Sequence, residues 1–411
     1  MFQSFNLSIH CFTEPSKAEV ASGNCAETSL SWNEDTVYGL GLYRLIGCGL
    51  GIWPLTCHKY GSKLIFLIVV NFGCMSVHEA VDFIVFLATN CLCLLKISII
   101  RLHRKEMCYI TECAVRDWST DRDAKSRDIM REYAHRGRIF SIFPLSIGLS
   151  STVPMVIYSP PTFGPTMGNN SETSNTSVMD MRNLPMGTGC SVIDSPIVIY
   201  LAFYIFQCTQ MICLACCNFG CDAVFFGISL HICAQFKLLR ISVAELGRNP
   251  GERDVREGLR GSIERHNHLL RLLKLVEDVF HLIILGLLGA TGVDIIFLGI
   301  QMLVAIRDES FLTAAYASSG IVCLLLQLYA YCLMGDYLAA HAENLRIGAY
   351  SCAWYNFPSS FTKDVTFVIM KSNSAYQLTA GKVFCMNMEN FTSVIKTMAS
   401  FFSVMKLTIV K

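Results

Sequence analysis

Charged residues are scarce in this sequence: Asp, Glu, Lys and Arg make up 16% of its 411 residues, whereas 53% are hydrophobic. A water-soluble fold of this size has no core large enough for that much apolar surface, so the surplus must face lipid. Net charge is equally small at +1, which gives no footing for nucleic acid or an anionic partner. The first thirty residues lack a basic segment followed by an apolar one, so no cleavable leader is expected and insertion has to use internal helices. Catalytic fingerprints are missing as well. There is no G-x-S-x-G, H-E-x-x-H, Walker or dinucleotide motif, and the acids are scattered over different helices, which argues against an enzyme. Internal repeats and low-complexity segments are also absent.

Cysteine, by contrast, is abundant at 20 residues. Most of it lies in apolar runs, as Cys213, Cys216 and Cys217 do, where a thiol behaves as a small hydrophobe. The pairs Cys213/Cys216 and Cys217/Cys221 have no second His or Cys pair at zinc spacing, so neither a metal nor another cofactor is expected.

Apolar runs occur at 64–79, 81–100, 139–158, 197–218, 280–304, 312–334 and 384–405. A hydrocarbon layer about 30 Å thick needs about 20 such residues per helix, so the fold class is an all-α membrane protein with seven transmembrane helices. His78, Glu79 and Asp82 interrupt the first two runs and read as a tight hairpin at the water interface. Tyr38 to Leu55 is glycine-rich, carries Arg44 and ends at Trp53-Pro54, which suits an interfacial helix better than a span.

Basic residues set the orientation. They crowd the loop 101–138, from Arg101 to Arg138, and the loop 237–279, whereas 159–196 has only Arg182 and carries two glycosylation sequons at Asn169 and Asn175. The first two loops are therefore cytoplasmic and the third extracellular, which places the N-terminus inside and the C-terminus outside. The expected organisation is a cytoplasmic segment 1–62, six spans within 63–334, a cytoplasmic helical segment 335–383, a last helix 384–406 and an extracellular tail 407–411. The fourth helix continues past the membrane through Cys221–Arg240. Asp254–Val279 keeps a helical apolar rhythm that leads straight into the fifth span. Between Ala339 and Lys382, amphipathic helix is broken at Phe357-Pro358-Ser359.

Several residues then form an ordered series. The fourth segment ends in Leu230-His231-Ile232-Cys233-Ala234-Gln235-Phe236-Lys237-Leu238-Leu239, and the sixth leads into Tyr331-Cys332-Leu333-Met334-Gly335-Asp336. Gly348-Ala349-Tyr350, Trp354-Tyr355 and Phe357-Pro358 follow. Thr379-Ala380-Gly381-Lys382-Val383-Phe384, Met388-Glu389-Asn390-Phe391 and Lys396-Thr397 close the chain. This series, with Arg44-Leu45-Ile46-Gly47 and Trp53-Pro54 upstream, resembles the insect odorant receptors.

The resemblance implies a tetrameric ligand-gated, non-selective cation channel whose seventh helices line one central pore. Each subunit would bind a small volatile odorant in the outer half of its own bundle and assemble with a longer shared co-receptor. Departures from the family are Phe401, where a tyrosine is common, and the place of Lys396 in mid-span, where a charge should face protein or water. Against the related gustatory receptors stands Ser400-Phe401 in place of Thr-Tyr. A G-protein-coupled receptor needs the opposite orientation, and a transporter needs broken helices in matching halves.

An odorant site needs a largely apolar cavity with a few polar groups. Phe83, Phe86, Ser151, Met155, Phe203, Phe206, Gln210 and Tyr316 are the candidates. Aromatics at this density serve equally as packing or lipid-facing groups; Gln210 and Tyr316 add hydrogen-bonding groups that hydrocarbon leaves costly if unpaired. Thr397, Met398, Ala399 and Ser400 are the gate candidates. With Lys396 turned to a neighbouring helix, Met398 lies nearest the pore axis. Leu273, Tyr350 and Trp354 are candidates for contact between subunits. Asp222 and Asp294 are intramembrane or juxtamembrane acids, with Asp222 suited to a hydrogen-bond anchor, and His231 with Gln235 suits structural polar contact more than metal.

Overall fold

The computed structural model describes residues 32–55, 77–120, 123–158, 184, 196–246, 252–352, 354–356, 359–372 and 376–409. The described chain is almost wholly helical. Its helices are α1 (Glu34–Leu50), α2 (Val77–Leu102), α3 (Arg104–Ser119), α4 (Ala124–Tyr158), α5 (Ile197–Glu245), α6 (Glu252–Arg307), α7 (Phe311–Glu343), α8 (Leu345–Ser351), α9 (Ser359–Ser372) and α10 (Met388–Ile409). A one-turn 3₁₀ helix, Trp354–Asn356, and a hairpin of β1 (Thr379–Ala380) and β2 (Phe384–Cys385) complete it. Most of the first expected span, 64–79, lies outside the described residues.

Four of these helices are long and apolar enough to cross a membrane, over Ile84–Leu102, Ile197–Glu245, Arg256–Arg307 and Phe311–Ser351. At 1.5 Å per residue, the 49 residues of α5 and 56 of α6 make rods about 74 and 84 Å long, more than twice the hydrocarbon thickness of about 30 Å. Both run unbroken, as the apolar rhythm beyond each span implied. His78, Glu79 and Asp82 do not form a turn, however, because the backbone is already helical from Val77.

The core gathers where α5, α6 and α7 meet. Phe225 stacks on Tyr331 with ring centroids 5.0 Å apart and lies 4.9 Å from the Phe280 ring. This junction joins a buried cluster running from Leu50 at the end of α1 to Met386 beyond the hairpin. The earlier turns of α1 belong to a second cluster that includes Leu40, Tyr43 and Trp118. Asn33 caps its first turn by accepting from the Thr36 N–H at 2.8 Å, and Asp35 pairs with Arg131 of α4 at 2.6 Å, so α1 is pinned to the basic loop layer.

The segment expected to be helical through 383 contains the hairpin instead. Thr379 pairs with Cys385 and Ala380 with Phe384. The turn places Gly381 and Lys382 in the left-handed region, both with φ 62°, and glycine fills the first of these without a steric cost. Consequently Phe384 and Cys385, the start of the last apolar run, are strand, and α10 begins only at Met388.

Candidate functional site

Inside the bundle, α2, α5 and α7 share one polar node. Lys96 is 0% exposed and its Nζ lies 2.6 Å from Asp222 Oδ1. The same ammonium donates to Asn218 Oδ1 at 2.6 Å and to the Asn218 carbonyl at 3.2 Å, so all three of its protons are used. Asp222 also accepts from the Tyr331 hydroxyl on Oδ1 at 2.6 Å and from Gln327 Nε2 on Oδ2 at 2.5 Å. A buried charge is tolerated only when paired and hydrogen-bonded in this way. Asp222, expected to anchor the cytoplasmic layer, instead ties α2, α5 and α7 together inside the bundle. Lys96, Asn218, Gln327 and Tyr331 were missed, although a lysine inside the apolar run 81–100 is itself the signal.

Beside this node, α4, α5 and α7 line a partly open cavity of about 190 Å³. Phe140, Phe143, Phe219 and Leu333 supply apolar walls, and Gln327 supplies an amide. None of the residues expected to hold an odorant lines it. Phe203 and Phe206 are half-buried neighbours on α5, with centroids 6.2 Å apart. Gln210 is buried on the same helix, Phe86 is half-buried on α2 and Tyr316 half-buried on α7. Phe83 lies on the α2 backbone, and Ser151 and Met155 on that of α4, with side chains outside the described residues. Asn169 and Asn175 are outside them altogether.

The last helix is fastened at its base. Asp336 of α7 accepts from the Met388 N–H at 2.9 Å, and Asn387 accepts from that of Asn390 at 2.8 Å. Together they satisfy two of the four free amides that open a helix. Gly335 makes the junction possible, since a Cβ there would lie 2.0 Å from the Met386 carbonyl oxygen. The hairpin meanwhile grips α6. The Gly381 N–H donates to the His281 carbonyl at 2.8 Å, Thr379 Oγ1 donates to Glu277 at 2.7 Å and Lys382 pairs with Asp278 at 2.9 Å.

The rotation of α10 differs from the expectation. Phe391, Val394 and Phe402 face the subunit's own bundle, Phe391 against the Tyr329 ring and Phe402 against Gly299. Met398, half-buried, falls on this face by helical spacing. Lys396, Thr397, Ala399 and Ser400 are exposed on the other side. The lysine is therefore not turned into its own bundle, and Met398 is not the residue facing outward. Thr397 and Ser400 donate to the carbonyls of Ser393 and Lys396, each at 3.0 Å, which leaves their oxygens free to accept.

Of the contact candidates, Tyr350 is 69% exposed and Trp354 is half-buried between Tyr350 and Tyr355. Leu273, expected at a contact between subunits, is instead 0% exposed, because the apolar face it stands on is buried in the subunit's own core. In the loop layer, Asp117 of α3 meets His231 Nε2 at 3.2 Å and accepts from Arg265 at 2.7 Å, and Arg265 also donates to Gln235 at 3.0 Å. His231 and Gln235 thus act as polar contacts between helices. Burial raises the Asp117 carboxyl, but the bonds and charges of His231 and Arg265 outweigh it and hold its pKa at about 2.

This arrangement of long apolar helices around a paired internal charge defines a multi-pass helical membrane protein. The chain belongs to the 7tm odorant receptor family, which matches residues 76–399. Odorant receptor 13a of Drosophila melanogaster is 28% identical over 224 residues, 50% of this chain and 53% of that protein. The odorant receptor coreceptor of Ooceraea biroi is 24% identical over 152 residues, 37% of this chain and 31% of that one. The matched region thus spans about half the length of the first relative and a third of the second. The fold is shared with the insect olfactory receptor OR5 from Machilis hrabei in complex with eugenol, at a TM-score of 0.71 and 13% identity over 92% of this chain and all of that one.

Proposed function

We propose that the chain is an odour-detecting subunit of a ligand-gated, non-selective cation channel, assembled with a co-receptor in the membrane of olfactory neuron dendrites. Its N-terminus is cytoplasmic and its C-terminus extracellular. The observation that carries this reading is the outward face of α10. Lys396, Thr397 and Ser400 are exposed there together with Thr392, Ser393 and Ser403, a polar outer face on a helix whose inner face is apolar and whose base is fastened. Such a face needs water or another subunit beside it. Thr397 and Ser400 line the conduction path, while Met398 belongs to packing within the subunit. Cysteine accessibility tests this directly: a charged thiol reagent should block current through Thr397→Cys and Ser400→Cys above the native-cysteine background, and spare Met398→Cys. Block of Met398→Cys alone would mean the helix is turned the other way.

The relatives named coreceptor support the partner, and the eugenol complex of the related receptor supports a small, mostly apolar ligand. That ligand contacts the outer-half residues Phe86, Phe203, Phe206, Gln210 and Tyr316, with Phe83, Ser151 and Met155 on the same helices. Phe206→Ala or Tyr316→Ala should reorder the active odorants, because contacts of this size change affinity by about 1–3 kcal/mol. An unchanged ranking in both would move the site elsewhere. Subunits meet through the exposed aromatics Tyr350 and Tyr355, beside Trp354. Tyr350→Asp with Tyr355→Asp should abolish co-purification with the co-receptor and leave insertion intact.

A further inference from the structure

The cavity between α4, α5 and α7 is separate from the outer-half residues proposed for the odorant. Its volume, about 190 Å³, exceeds that of an engineered apolar cavity of about 150 Å³ that stays dry and takes up benzene. Water is a poor occupant here, since an enclosed water needs two to four polar partners and the walls are aliphatic and aromatic apart from one amide. Two of its lining residues, Ile139 and Phe143, are 54% and 55% exposed, and both belong to the apolar run 139–158 that the sequence assigns to a membrane span. Access is therefore from hydrocarbon, a route that selects uncharged molecules.

The amide supplies the second observation. Asp222, paired with Lys96, can only accept hydrogen bonds, so the NH₂ group of Gln327 has to face it, and Nε2 lies 2.5 Å from Oδ2. The Oε1 atom is left over. Among the described residues no donor bonds it, although Gln327 is 4% exposed and lines the cavity. A carbonyl of a largely buried side chain that borders an apolar cavity without a donor is an unmet demand there. We propose that this cavity binds a small, uncharged, lipophilic molecule with a single hydroxyl, which arrives through the bilayer and donates to Oε1 of Gln327. A hydrocarbon of the same shape fills the space but leaves the oxygen unpaired, so the alcohol binds more tightly. Because Gln327 also holds Asp222, and Asp222 holds Lys96 and Tyr331, occupancy bears on the junction of α2, α5 and α7.

The test uses ¹⁹F NMR on the full-length chain in phospholipid nanodiscs, with 4-fluorobenzyl alcohol as the probe and 4-fluoroethylbenzene as its donor-free counterpart. The wild type should show a saturable bound component above the empty-nanodisc background. Ala330→Phe, and separately Cys323→Phe, fill the cavity from positions two turns apart on α7 and should each remove that component while keeping the gel-filtration profile. Gln327→Leu should weaken the alcohol about tenfold and leave the donor-free probe unchanged. Survival of every bound component in both phenylalanine variants overturns the assignment, as does equal loss of both probes in Gln327→Leu. A wild type with no saturable component, the result if a lipid acyl chain fills the cavity, overturns it as well.

Discussion

Lys96→Met removes one half of an ion pair that no water reaches. Methionine keeps the length of the side chain, so packing changes little. What changes is that the Asp222 carboxylate, 2% exposed, keeps only Tyr331 and Gln327 as neutral donors. Stranding a buried charge costs about 3–5 kcal/mol. Unfolding entropies of about 2.1 cal/mol/K per residue, over the 411 residues of the chain, give roughly 0.9 kcal/mol/K, so the melting midpoint should fall by about 4–6 °C. Asp222→Asn strands the ammonium instead and should cost a similar amount. In the double variant both charges are gone, and an amide at 222 still accepts from Tyr331 and donates to a flipped Gln327. Its midpoint should return to within about 2 °C of the wild type, because replacing a buried pair by neutral groups is often nearly neutral. Fluorescence-detected size exclusion after a temperature series measures all four proteins at one detergent concentration. A double variant that melts as low as either single one would refute the argument, since the node would then act through shape rather than charge.

Asp117→Asn should destabilise by about 2 kcal/mol, from the drop in its pKa from the ordinary 3.8 to about 2. A carboxyl depressed on folding contributes stability above about pH 4, and loses it as the pH falls toward 2, so the difference between wild type and variant should close over that interval in an acid titration of the melting midpoint. Asp336→Ala removes the acceptor for the Met388 amide and should cost about 1 kcal/mol, read as altered basal current at unchanged surface expression; normal basal current would separate the cap from gating. Gly335→Ala places a methyl 2.0 Å from the Met386 carbonyl, so the hairpin must shift, and surface delivery should fall by more than in Asp336→Ala.

The helical class and the continuity of α5 and α6 past their spans were legible because each leaves a periodic mark: an apolar run is long enough to span or it is not, and α6 keeps its stripe from Leu259 onward. What escaped depends on which neighbour covers a stripe. Leu273 reads as an apolar contact residue in a cytoplasmic helix, and only its burial in the subunit's own core shows that the surface is used up within the subunit. Met398 and Lys396 lie on different faces of one helix, so their spacing fixes an angle between them but not which one turns inward; Phe402 against Gly299 decides that. The hairpin is legible in hindsight, since Gly381-Lys382 is a turn signal, but its strands are two residues long and leave no alternation to read. Lys96 needed its partner: Asp222 lies 126 positions away, and nothing local joins them.

The base of α10 is tied to two helices at once, to α7 through Asp336 and to α6 through the hairpin. The last helix therefore has no footing of its own, and any change in the spacing of α6 and α7 must appear in it as tilt. With 22 residues it is a lever about 33 Å long, so each degree at the base moves the far end by about 0.6 Å. Ten degrees displaces it by about 6 Å, a little more than the rise of one helical turn.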